Sequence, residues 1–278
     1  MTEAGVDADG FNAFEAAGWE QHAAGYDGFF GPITTRLIDP LLDAAGIGAG
    51  SRVLDVASGP GYVAARAAER GASVIGLDVA ETMLSLARRL QPQLEFRQGD
   101  AEALLFGDGS FDAVVANFGL LHLGRPERAA AEFARVLAPG GRVALTVWDL
   151  PERARFLGVF LEAVAAAGAS PPEDIPTGPP FFRFSDEREL ARLLGGQRLE
   201  GIEVTTVSFT HAEASADTLW RGMLGGTVRT SALIERQTPD MQREIRAAFE
   251  RIVRQYEAGG RLELPVSVKL ASARRPGA

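Results

Sequence analysis

Apolar positions change their period along the chain, and each change marks a predicted element. Ile33, Leu37, Ile38, Leu41 and Leu42 recur at helical spacing, which predicts a helix over Pro32 to Ala45 with Pro40 placed to bend or divide it. Ahead of it a helix is predicted around Phe14 to Tyr26, behind a polar opening, MTEAGVDADG, that reads as a frayed tail. From Gly46 the pattern becomes short apolar runs set between glycine turns and helical stretches. Strands are predicted ending near Asp55, over 73–79, 94–100 and 111–117, and in RVALTVW. Helices are predicted between them, at Val63 to Glu69, in AETMLSLARRL and before PGGRVALTVWD. Such alternation gives a mostly parallel sheet covered on both faces, with right-handed crossovers.

After Trp148 the rhythm breaks. Residues 151–169 read as helix, SPPEDIPTGPPFFRFSD as proline-rich loop, ERELARLLGG as a short helix and EVTTVSFTH as a strand. Residues 213–258 read mainly as helix with interruptions at Gly225, Gly226 and Pro239, before a last strand in ELPVSVKLAS. No internal repeat suggests a solenoid.

Composition narrows the function classes. With 278 residues, 46% hydrophobic and 23% charged, the chain can bury one large α/β domain and is not a disordered acidic polymer. A formal net charge of -9 suits a phosphate backbone poorly, so nucleic acid is not an expected partner. Lys269 is the only lysine, no early segment joins a positive start to a long apolar run, and apolar stretches break before about 18 residues. The expectation is a soluble cytoplasmic enzyme or binding protein without a membrane span. Cysteine is absent, which removes disulfides, thiolate nucleophiles and cysteine metal sites. His22, His122 and His211 form no close cluster and no carboxylate run has compact ligand spacing, so no metal is expected. No kinase, zinc-protease or hydrolase signature is present.

The sharpest motif is Val53-Leu54-Asp55-Val56-Ala57-Ser58-Gly59-Pro60-Gly61, a strand running into a glycine turn. Such a turn serves either as plain strand-to-helix geometry or as a place where a ligand approaches backbone beyond the sheet's carboxyl edge. Gly59, Gly61 and Ala64 fit the dinucleotide pattern G-x-G-x-x-A, and Asp78 stands 19 residues beyond Gly59, near the distance of a ribose-binding carboxylate. A nicotinamide-dependent oxidoreductase is therefore one alternative. Against it, Asp55 sits in the approach to the turn, where a carboxylate suits an amine or water better than a pyrophosphate. The strand also reaches Asp55 before Ala57 and Ser58, a longer connection than the dinucleotide fingerprint has.

With these motifs the chain resembles the class I S-adenosylmethionine-dependent methyltransferases, in particular the group holding ubiquinone, menaquinone and small natural-product methyltransferases. VLDVASGPG resembles their first cofactor motif and GLDVAETML their acidic second-strand motif. GDAEALLFGDGSFDAVVANFGLLHL resembles the third and fourth strands and VLAPGGRVALTVW the approach to the fifth, so that the likeness runs from about residue 19 to 150. It implies an α/β fold with a Rossmann-like seven-stranded, mostly parallel sheet in the order 3-2-1-4-5-7-6, strand 7 antiparallel, plus a helical substrate lid. The expected units are an N-terminal helical cap over 1–45, a cofactor core over 46–150, a lid insertion and helix over 151–200, and closing strands with a helical substrate cap over 201–278.

The resemblance also implies roles. Asp55, Ala57, Ser58, Gly59 and Gly61 would surround the methionine part of S-adenosylmethionine, and Asp78 would accept from both ribose hydroxyls, as a carboxylate can. Val79 and Met83 would pack near the adenosine, Gly99, Asp100, Ala101 and Glu102 would meet the adenine, with Asp100 accepting from its amino group. Asn117 and Phe118 would meet the methionine part, Leu121 would lie under the cofactor, and Tyr26 would close over it from the first helix along with Trp19. Phe30, His122, Trp148, Phe181, Trp220 and Arg221 are the candidate substrate contacts, with Phe182 and Phe184 beside them. Each has a plainer reading as well: Asp78 as a helix cap, Asp100 as an exposed turn, Glu102 as a solvated first-turn carboxylate, Met83 and the aromatics as core. His122 either orders a substrate, accepts a proton as a catalytic base, or is a structural histidine.

The resulting expectation is direct in-line methyl transfer to a small organic acceptor, aromatic or natural-product-like, giving S-adenosylhomocysteine. The alternatives are the nicotinamide oxidoreductase and a noncatalytic S-adenosylmethionine-binding protein. Monomer and homodimer stay equally open.

Overall fold

A computed structural model describes residues 5–277. The first four residues of the expected tail and the last residue of the expected closing unit lie outside them.

Six strands, β1 (Arg52–Val56), β2 (Ser73–Asp78), β3 (Glu95–Gln98), β4 (Phe111–Asn117), β5 (Leu137–Trp148) and β6 (Glu200–Glu213), are followed by a two-residue β7 (Glu257–Ala258) and a long β8 (Arg261–Arg274). The sheet order is β3-β2-β1-β4-β5-β8-β6, with β7 pairing only with β8. Pairings from β3 to β5 are parallel, whereas β8 runs antiparallel to both β5 and β6. This is the expected 3-2-1-4-5-7-6 order, with β8 as its seventh strand.

The continuous apolar runs of the central strands arise because both faces are covered. Leu54, Val56, Val114, Ala116, Val143 and Leu145 pack on one side against α6 (Pro126–Val136) and α8 (Glu187–Gly195). Val53, Ala113, Val115 and Ala144 alternate to the other side, against α3 (Ile38–Ala44), α4 (Tyr62–Glu69) and α5 (Glu81–Leu90). A third apolar core joins α7 (Arg155–Ala166), α9 (Ala216–Gly226) and α11 (Pro239–Val253) to Phe29, Phe30, Trp148 and the start of β8.

The first helix, α1 (Ala8–Phe29), differs from expectation at both ends. It begins inside the expected tail because the Asp7 carboxylate caps it, accepting from the Gly10 amide at 3.0 Å. The chain then breaks through α2 (Gly31–Thr34) and a 3₁₀ turn before α3 starts at Ile38. Pro40 therefore lies within the first turn of α3, where its missing amide hydrogen is no loss. Between α9 and α11 stands α10 (Arg229–Glu235). No described helix is long and apolar enough to cross a membrane.

Candidate active site

Strands β1, β2, β4 and β5 all point their carboxyl ends to one edge of the sheet, and a cavity opens there under α1 and the α9–α10 link. Two non-glycine residues leave these strands in the left-handed region, Ala57 after β1 (φ 54) and Phe118 after β4 (φ 60). Strain of that kind persists only where surroundings impose it. Here the two turns abut: a Cβ on Gly119, next to Phe118, would come 2.7 Å from that of Ala57. Thr146 fixes the second turn, its hydroxyl accepting from the Phe118 amide at 3.0 Å and donating to Asn117 Oδ1 at 2.6 Å.

The glycine turn is closed internally. The Ser58 amide donates to the Leu77 carbonyl at 3.0 Å, the Gly61 amide to the Ser58 carbonyl at 2.9 Å, and the Gly59 amide to Asp78 Oδ2 at 2.8 Å. Gly61 is required twice over, by φ 82 and because a Cβ would meet the Phe96 ring at 2.6 Å. At Gly59 a Cβ would meet nothing nearer than Met83 Sδ at 4.0 Å, so that face of the turn stands open.

Two carboxyl groups face this turn. Asp78 lines the cavity, its Oδ1 accepting from the Ala80 amide at 3.0 Å. Burial holds its pKa above the usual carboxylate range, against the pull of backbone bonds from Ala80, Gly59 and Val79. Asp55, 1% exposed, lies behind the turn with Oδ2 accepting from the Ala64 amide at 3.1 Å. Burial pushes Asp55 up to about 8; the Ala64 bond lowers it and the charge of Asp78 raises it further. Asp55 Oδ1 and Ser58 Oγ are buried without a hydrogen-bond partner among the described residues.

Of the expected cofactor residues, Tyr26, Ala57, Ser58, Gly59, Asp78, Val79, Met83, Gly99, Asp100, Ala101, Asn117 and Phe118 line the cavity. The others do not. Asp55 and Gly61 sit behind the turn, Leu121 is buried in the cap core, and Glu102 is 2% exposed, accepting from Asn12 Nδ2 at 2.9 Å and the Arg125 amide at 2.8 Å. Glu102 is thus a tie between α1 and the core in this structure. Tyr26 stacks on Phe30 at 5.6 Å, and burial drives its hydroxyl up to about 12.

Among the expected substrate contacts, Phe30, His122, Trp148 and Phe181 reach the cavity, with Phe118 stacked on Trp148 at 3.9 Å. Trp220 and Arg221 lie elsewhere. Trp220 packs on Phe160 and Phe249 under the Arg246 guanidinium, and Arg221 is exposed and paired with Asp217 at 3.0 Å. Phe184 belongs to the core between the sheet and α8.

The sequence reading missed part of the wall. Asn12, Glu15 and Ala16 join Trp19 and Tyr26 from α1, and Thr227 to Thr230 come from the link before and into α10. For α1 a signal existed: Asn12, Glu15, Trp19 and Tyr26 follow helical spacing, so placing two aromatics on the cavity places the polar pair beside them. Arg229 had no such signal. It lies over the rings of Phe11 at 4.6 Å and Phe181 at 5.4 Å, and burial lowers its pKa against the charge of Glu15. Among the described residues no group of three or more metal-ligating side chains is placed to hold an ion.

Residues 54–145 match the family model described as a methyltransferase domain. The chain is similar to the demethylmenaquinone methyltransferase of Renibacterium salmoninarum, 40% identical over 127 residues, 46% of this chain and 54% of that protein. It is also similar to an uncharacterized protein of Mycobacterium tuberculosis, 36% identical over 159 residues and covering 56% of each chain. The chain spans about half the length of the curated relatives it matches. Of solved structures, the YcgJ protein of Bacillus subtilis superposes with a TM-score of 0.58 at 19% identity, covering 87% of this chain and 99% of that one. Phosphoethanolamine N-methyltransferase 2 of Haemonchus contortus gives 0.59 at 18% identity, covering 99% of this chain and 61% of that one. At such identities the likeness is one of fold.

Proposed function

We propose that this chain is a class I S-adenosylmethionine-dependent methyltransferase that methylates a small organic acceptor, a reading supported by the match of residues 54–145 to the methyltransferase-domain model and by the likeness to demethylmenaquinone methyltransferases. The observation that carries this reading is the internal closure of the glycine turn. A pyrophosphate needs free backbone amides at such a turn. Those of Ser58, Gly59 and Gly61 are already given to Leu77, Asp78 and Ser58, which disfavours a nicotinamide dinucleotide. What the wall offers instead is the carboxyl groups of Asp78 and Asp100, with Ser58 beside them and open space over Gly59. That donor-seeking set fits a cationic ligand bearing hydroxyl and amino groups.

Asp78 would hold the ribose hydroxyls, Asp100 with the Ala101 backbone the adenine edge, Val79 and Met83 the adenosine faces, and Ala57 to Gly59 with Asn117 and Phe118 the methionine part. When bound, the cofactor supplies a methyl group already activated on a sulfonium. The chain's own task is then to orient the acceptor and exclude water, which lowers the barrier without a strong catalytic group. Phe30, Phe118, Trp148 and Phe181 form the aromatic part of the wall and favour an apolar, ring-bearing acceptor. Acceptor choice is assigned to the cap over 1–45 and the segments beyond 150, because α1 and the Gly226 to Thr230 link close the cavity over the core.

Calorimetry comparing S-adenosylmethionine with nicotinamide dinucleotides tests the cofactor assignment, with binding of the first alone expected. Preferential binding of the dinucleotides would overturn it. Incubation with methyl-labelled cofactor and a metabolite extract, read by mass spectrometry, then identifies the acceptor.

A further inference from the structure

Glu15 comes from α1, and its side chain meets His122 on the wall of the cavity. It is 2% exposed, and its Oε2 lies 2.9 Å from His122 Nδ1 and 3.1 Å from Trp19 Nε1. An indole N–H can only donate and a carboxylate only accept, so Oε2 is an acceptor toward both neighbours. Nδ1 of His122 therefore carries the hydrogen. A neutral imidazole has one N–H, which leaves the lone pair on Nε2. That atom has no hydrogen-bond partner among the described residues, and the ring lines the cavity with Trp19 edge-on at 5.0 Å and Phe181 at 6.5 Å. Arg229 Nε stands 3.6 Å from Glu15 Oε1, giving the buried carboxylate its counter-charge, while Phe11 and Phe181 hold the guanidinium in place.

We propose that Glu15 is a positioning residue that fixes His122 as a base facing the cavity, and that the acceptor bears an acidic O–H, as a phenol or enol does. The inference deepens the methyl-transfer reading and rests on it for the purpose of the base. A phenolic oxygen is a poor nucleophile until its proton leaves, and an imidazole is a suitable general base near neutral pH. In the step, the acceptor's O–H bond breaks, its electron pair stays on oxygen, and its proton forms the Nε2–H bond. The resulting imidazolium is doubly protonated and its charge is faced by Glu15. An aromatic amine already has its nucleophilic pair and would leave this arrangement without a task.

The test is ¹⁵N NMR of the whole chain labelled at its histidine rings, at about pH 8.5, where ordinary imidazoles are neutral. His122→Gln assigns the signals by loss. Wild-type protein is expected to show His122 with a protonated Nδ1 and a bare Nε2; the reverse tautomer overturns the proposal. Glu15→Leu, lacking the acceptor, should move the ring toward the Nε2–H form, and should that variant not fold, the wild-type tautomer still decides. 1-Naphthol is expected to shift the His122 Nε2 signal and 1-methoxynaphthalene to leave it in place. An equal response to both probes, or to neither, overturns the O–H acceptor. None of these measurements uses the cofactor, so failed S-adenosylmethionine binding by calorimetry would remove the methyl-transfer reading separately.

Discussion

The Gly59 amide donates to Asp78 Oδ2 at 2.8 Å, from 19 positions earlier in the chain. One carboxylate at the end of β2 thereby shapes the turn after β1 while also facing the cavity, so the two motifs are a single mechanical unit. Its remaining lone pairs stay free for a ligand's hydroxyls, since an ionised carboxylate offers about four acceptor sites.

Asp78→Ala is accordingly expected to weaken S-adenosylmethionine binding by about ten- to a hundredfold, the ~1.5–3 kcal/mol typical of hydrogen bonds to a charged group. Calorimetry on the purified variant measures this. Unchanged affinity would mean that Asp78 serves the turn alone.

Asp55 should write its ionisation into the pH dependence of stability. Its pKa is about 8 in the folded protein because burial disfavours the charged form; the Ala64 amide opposes that and Asp78 adds to it. An unfolded aspartate titrates near 4, so between these values the folded state keeps a proton the unfolded state has lost. The stability from this group is complete below about pH 4 and is lost as pH rises toward 8. Asp55→Asn removes the titration at nearly constant shape. Relative to wild type, the variant should gain stability with pH across that window, by at most about 1.4 kcal/mol per pH unit. Urea unfolding at several pH values reads the difference, and a constant gap between the two proteins would refute it.

Glu102 and Asn12 latch α1 to the core. Glu102 accepts from Asn12 Nδ2 at 2.9 Å, and Asn12 Oδ1 accepts from the Gly124 amide at 2.6 Å. Glu102→Ala should cost about 2 kcal/mol by stranding buried donors. Hydrogen exchange should quicken across α1 while amides of β1 and β4 keep their protection. Unaltered exchange in α1 would argue against the latch.

Glu20 ties the same helix to α5, whose N-cap position, Ala80, has no polar side chain to cap it. Its carboxylate accepts from the Glu81 amide at 2.7 Å, and from the Thr82 amide at 3.0 Å and hydroxyl at 2.7 Å. Burial alone would raise its pKa, but the bonds from Thr82 and Glu81 bring it below the usual value. Its stabilisation is therefore present above the ordinary glutamate pKa and lost as pH falls through the lowered one. Glu20→Ala should cost about 1 kcal/mol, as loss of a helix cap does. Thermal unfolding near neutral pH should show it, and the cost should vanish in acid.

The sequence by itself determined the sheet and the place of the turn. Strand runs such as Ala113 to Ala116 and Val143 to Leu145 are apolar because both faces are buried, and a pattern of that kind is visible in one dimension. The glycine turn was equally legible, because a positive φ and a close approach that only glycine tolerates leave a local mark at Gly61, and Asp78 stood out as a carboxylate closing a strand. Tertiary structure alone decided the acceptor side. Glu15 reaches His122 across 107 positions, and Arg229 reaches Glu15 from a different helix again. Trp220 and Arg221, which sit on an amphipathic helix much like one facing a substrate, turn out to pack and pair away from the cavity. Helical spacing fixes which residues share a face, but which face meets the cavity depends on how α1, α9 and α10 dock. Long-range packing sets that docking, and no local pattern in the chain encodes it.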